Sequence, residues 1–67
     1  GKSAILLAVC ITPTDGAARA WLYRNAKVIA LHVNESGVEK VLVSIDPADY
    51  ARLRSRWPSL GVSCADA

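Results

Sequence analysis

Few residues in this chain could take part in a reaction, and their spacing decides how each one reads. His32 is the sole histidine of the 67 residues. It stands between Leu31 and Val33, and nothing in the sequence sets a serine or thiol beside it, so Cys10 with His32 is a poor nucleophile–base pair. Cys10 and Cys64 lie near opposite ends, without C-x-x-C spacing. A zinc site needs more ligands than these. The expectation is two reduced thiols, with Cys10 buried in a strand, in a cytoplasmic protein; a disulfide between the two is the alternative. Asp46 and Asp49 have the spacing of a helix cap and its third residue, which explains both without catalysis. Glu35 and Glu39 flank a loop. Gly1-Lys2-Ser3 echoes the end of a phosphate-binding loop but lacks the upstream glycine and strand. The chain therefore reads as a non-enzyme, with no metal and no cofactor.

The basic and aromatic residues form a more promising set. Arg52 and Arg56 fall one helical turn apart, with Arg54 toward another side; Arg19, Arg24 and Lys27 add charge near Trp21 and Tyr23. Arginine, tryptophan and tyrosine dominate interface energetics. This nominates Trp21, Tyr23, Arg24, Lys27, Arg52, Arg54, Arg56 and Trp57 as a surface for a protein partner. Basic side chains beside aromatics also suit phosphate contacts with base stacking. A nucleic-acid-binding module using Arg19, Arg24, Lys27, Arg52, Arg54 and Arg56 is thus the alternative function. A solvated helix face, with Asp49 pairing locally, is the plain reading of the same arginines. An oligomeric subunit joined through an open sheet edge is a third functional reading.

Size and composition bound these readings. A chain this short makes one domain, residues 1–67, and buries only about 60% of the surface its unfolded form exposes. A hydrophobic content of 52% argues against disorder, and without Phe or Met the core must be aliphatic. So small a core would gain from a partner that covers leftover apolar surface. The net charge of +2, from eight basic and six acidic residues, neither demands nor excludes nucleic acid. Residues 1–3 read as an artificial or processed end. The apolar run Ala4–Ile11 is far too short to span a bilayer, so no membrane partner is expected.

The elements that would position these residues follow from period and punctuation. Ala4–Ile11 is a central strand, because its apolar run is continuous. Thr12 to Gly16 is a turn. Ala17–Asn25 is two-sided. As a strand, Trp21 and Tyr23 alternate with Ala20 and Leu22, and Asn25-Ala26 turns a hairpin into the next strand; this is the reading preferred here. As a helix, it would be capped by Thr14 and closed by a left-handed Asn25. That alternative gives the order β-α-β-β-α, a ferredoxin-like pattern without a convincing last strand.

Val28–Val33 is a strand with Ile29, Leu31 and Val33 on one face. Asn34 to Gly37 is a hairpin loop whose glycine takes positive φ, and Val38–Ile45 returns antiparallel. Asp46 then caps a helix that opens on Pro47, buries Tyr50, Leu53 and Trp57 on one face, and stops at Pro58. Val62-Ser63-Cys64 is a short edge strand at most, before a frayed end. The expected fold is α+β: a small antiparallel sheet of three to four strands with one C-terminal helix packed across it.

The stretch Val41-Leu42-Val43-Ser44-Ile45-Asp46-Pro47-Ala48-Asp49-Tyr50-Ala51-Arg52-Leu53, continued by Arg56-Trp57, resembles a segment near the front of phage-type HNH endonucleases. There a short strand runs into an Asp-rich turn, an Asp-Tyr pair, a Leu and a Trp. The likeness covers 17 of 67 positions. The family's catalytic module, with paired histidines and an asparagine, would follow it; here the only histidine, His32, lies upstream, so no catalytic residue carries over. The resemblance implies a phage-derived scaffold without its nuclease half. In size and plainness the chain is also similar to small phage regulators that bind bacterial RNA polymerase. That likeness implies host RNA polymerase as the partner and the bacterial cytoplasm as the location.

Overall fold

The strand-to-helix stretch forms as its residues dictate. In a computed structural model that describes residues 3–64, Glu39–Ile45 is a strand and Pro47–Arg56 a helix. Asp46 has extended backbone, and its Oδ1 accepts the Ala48 amide at 2.8 Å, satisfying one orphan donor of the first turn. Pro47 sits where a missing N–H costs nothing. Leu53 is fully buried, while Tyr50 and Trp57 pack partly buried against the core.

Residues 17–25 overturn the preferred reading. The chain runs β1 (Ile5–Ile11), α1 (Gly16–Asn25), β2 (Lys27–Val33), β3 (Glu39–Ile45), α2 (Pro47–Arg56) and β4 (Gly61–Cys64). There are thus two helices, not one, and the hairpin proposed at Asn25-Ala26 is absent. Three alanines favour helix locally, but the sheet decides the matter. Ala18 and Leu22, four residues apart, deliver one buried face to a sheet that a single helix would leave half covered. The helical alternative also forms differently from its expected ends. Asp15, not Thr14, is the N-cap residue, and its carboxylate turns back to accept from the Thr12 amide and hydroxyl at 3.0 and 2.9 Å. Asn25 stays helical and donates Nδ2 to the Trp21 carbonyl at 2.8 Å; extended Ala26 leads straight into β2.

The sheet is four-stranded, antiparallel throughout and ordered β2-β3-β1-β4. β1 and β2 both run antiparallel to β3 between them. They are therefore parallel to each other and joined by a helical crossover, the split β-α-β arrangement of ferredoxin-like topology. β1 is central as expected. The last strand, weak in sequence, completes the pattern by pairing Val9 with Val62 and Cys10 with Gly61.

Strand alternation sorts the two faces. Leu7, Val9, Ile11, Val41, Val43 and Ile45 point to the helices and are buried with Ala18, Leu22, Leu53 and Leu60. Leu6, Ala8, Cys10, Leu42 and Ser44 fall on the face without helices. Cys10 is exposed there, contrary to the buried position expected of it.

The β2–β3 hairpin has the expected loop. The Asn34 Oδ1 accepts from the Ser36 and Val38 amides at 2.8 and 3.0 Å, and Gly37 has φ of +84°. β2 itself is irregular, with a bulge between Val28 and Ala30. The tip of the chain start, Gly1 and Lys2, and the end expected to fray, 65–67, lie outside the described residues.

Candidate functional site

The two helices bring Trp21 and Trp57 together, both half-buried against the core. Trp21 comes from the second turn of α1, Trp57 from the residue that ends α2. Their rings meet edge to face, with centroids 5.9 Å apart and planes at 63°. The Arg56 guanidinium carbon lies 4.9 Å from the Trp57 ring centroid. Beside this pair is a shallow depression of about 320 Å³ lined by Trp21, Ala51, Arg52, Ser55 and Arg56. Ala51 and Ser55, one turn apart and small, make room for it. Their i, i+4 spacing is visible in the sequence and puts both on one helix face. On the far side of Arg56 and Trp57 a second depression of about 350 Å³ reaches Thr12, Asp15 and Gly61.

Of the eight residues nominated from sequence, four converge here: Trp21, Arg52, Arg56 and Trp57. The other four do not. Arg54 donates Nη1 to the Leu60 carbonyl at 3.1 Å and so ties the end of α2 to the loop before β4. Tyr23 belongs to a separate group. The Arg19 guanidinium carbon lies 4.6 Å from its ring centroid, and Arg19 Nε reaches the Glu39 carboxylate oxygens at 2.9 and 3.1 Å. Arg24 and Lys27 are exposed at the junction of α1 and β2. Lys27 pairs in register with Ser44, which places it on the face away from the helices.

The electrostatics follow from these partners. The hydrogen bond from Arg19 to Glu39, and then the carboxylate charge, raise the guanidinium above its ordinary value, with Tyr23 adding a little. A raised basic group adds stability at every pH below its unfolded value and loses it only above that, so Arg19 brings no pH dependence near neutrality. Arg52 Nη1 meets Asp49 Oδ1 at 2.6 Å, an exposed i, i+3 pair of the kind the plain reading anticipates.

Of the candidate reactive groups, Cys10 and His32 lie on the other side of the sheet, while Cys64 pairs with Leu7 and falls on the helix side. Cys10, Lys40 and His32 stand in one row across β1, β3 and β2. One whole strand separates the thiol from the imidazole, about 10 Å between strand axes. A depression of about 450 Å³ on this face touches both His32 and Cys64. These lie on the two edge strands, three spacings or about 14 Å apart. Among the described residues no group of three or more His, Cys, Asp or Glu could hold a metal ion. No helix among them is long and apolar enough to cross a membrane.

Comparison of the chain with models of protein families, with curated proteins and with solved structures returns no match.

Proposed function

We propose that this chain is a non-catalytic protein-interaction module that docks through the outer seam of its two helices. The observation that carries the reading is the Trp21–Trp57 pair with Arg56 against it, beside a shallow depression that Arg52 also lines. Rigid aromatic anchors next to arginines are what an interface centre uses. The partner surface is apolar with acidic groups at its rim. Its most concrete form is the RNA polymerase of a bacterial host, bound in the cytoplasm by a phage-type regulator of transcription. The resemblance of Val41–Trp57 to phage endonuclease segments is compatible with that origin and supplies no activity.

Nucleic acid is the weaker reading. Arg19 and Arg52 already face carboxylates and Arg54 a carbonyl, while Lys27 falls on the opposite side of the sheet from the helices. The basic residues thus fail to form one continuous track for a phosphate backbone. Affinity purification from bacterial lysate, with and without nuclease, separates the two. A stoichiometric protein retained after nuclease, and lost in the Arg52→Glu/Arg56→Glu variant, is the expected result. Capture that vanishes with nuclease would transfer the function to nucleic acid; capture of nothing in either arm would remove both.

A further inference from the structure

The edge strand β2 is open along one side and apolar. Ile29, Leu31 and Val33 are 51%, 47% and 51% exposed, the largest aliphatic exposures among the described residues. Edge strands ordinarily avoid such exposure with charge, proline, brevity or a bulge. Here the bulge lies at the start of the strand, and Ala30 to Val33 runs on in regular register with neither proline nor acidic residue. Leu31 and Val33 pair with Val41 and Glu39, on the helix side of the sheet, yet the helices leave them half exposed.

The geometry points to a second copy of this chain as the occupant, pairing β2 with β2 antiparallel about a two-fold axis at Leu31. Three features of the strand select that occupant and register. Residues opposite one another in an antiparallel pair share a face, so a two-fold axis must pass through a residue rather than between two. An axis at Leu31 sets Leu31 against Leu31 and His32 against the small Ala30, and the regular ladder ends where the bulge residue Ile29 comes beside the other copy's Val33. An axis at His32 would instead oppose two imidazoles. The antiparallel sense also brings the basic start of one strand, with exposed Arg24 and Lys27, to the other copy's exposed Glu35 turn. The strand is thus complementary to itself in shape and charge, as an isologous contact requires.

A ladder this short buries less than the ~1,200 Å² of a standard interface, which makes the contact a weak or transient one. The helix seam takes no part in it, and the test uses purified chain alone, so its outcome is independent of any captured partner. Sedimentation from about 1 µM to 1 mM should show a monomer–dimer equilibrium, and Leu31→Lys, which opposes two cations at the axis, should weaken it ~tenfold or more. With Cys10→Ser and Cys64→Ser in the background, Leu31→Cys should form a disulfide-linked dimer on mild oxidation, because opposed Cα atoms at about 4.5–5.5 Å suit a disulfide. Val33→Cys should stay unlinked. A monomer throughout the range, a dimer indifferent to Leu31→Lys, or cross-linking at Val33→Cys rather than Leu31→Cys would each overturn the assignment.

Discussion

Single residues in this protein matter through backbone geometry as much as through contact. The two N-cap aspartates show it. Asp46 offers its carboxylate to its own helix, whereas Asp15 spends the same group on Thr12, holding the turn that swings the chain from β1 into α1. Two glycines make the contrast measurable. Gly37 has φ of +84°, and a Cβ there would lie 3.4 Å from Pro13 Cγ. Gly16 begins α1 with ordinary φ, and nothing lies within 4 Å of the position a Cβ would take. Gly37→Ala should therefore destabilise the fold by about 1 kcal/mol or more. Gly16→Ala should stabilise it by about 0.4–1 kcal/mol, through lost freedom of the unfolded chain. Urea midpoints at constant slope check both. A neutral Gly37→Ala would mean that the hairpin loop can turn another way.

At the scale of elements, the sheet is finished by what the helices do to each other. α1 and α2 share one face of the sheet, and the Trp21–Trp57 contact joins them. A double-mutant cycle over Trp21→Ala and Trp57→Ala should return a coupling of about 0.5–1.5 kcal/mol in unfolding free energy, the range for an edge-to-face aromatic pair. Strict additivity would show instead that each indole packs on the core alone. Then the seam would be two neighbouring surfaces rather than one docking unit. Arg54 marks the limit of the helix-face argument. It shares α2 with Arg52 and Arg56, but its bond to the Leu60 carbonyl makes it part of the connection to β4.

For the whole molecule, sheet register decides the chemistry of the two cysteines. Cys10 pairs with Gly61 and Cys64 with Leu7, so the thiols are offset by three residues along the β1–β4 ladder. That is about 10 Å along the strand, too far for a disulfide without moving backbone. Both are exposed and free. The folded protein should yield two reactive thiols per chain to a thiol reagent, and a reducing agent should leave its unfolding midpoint unchanged. Fewer than two free thiols in the native monomer would show that β4 pairs in another register.

The sequence by itself determined three features set by neighbours a few residues away. Asp46-Pro47 starts a helix, Asn34 to Gly37 turns a hairpin, and the Val41, Val43, Ile45 alternation makes a strand with one buried face; local hydrogen bonds and side-chain period are enough for these. Three of the four residues that converge at the seam were legible in the same way, since Arg52, Arg56 and Trp57 lie within two turns of one helix. Tertiary structure alone decided the rest. Ala17–Asn25 carries apolar residues that fit either period, and it became a helix because an uncovered sheet face offered burial to Ala18 and Leu22. Val62-Ser63-Cys64 became a strand because β1 had a free edge to pair with. Trp21 came to Trp57, and Tyr23 away from it, only once that helix was laid down, because contacts between distant segments depend on the path of the chain and leave no period in the sequence.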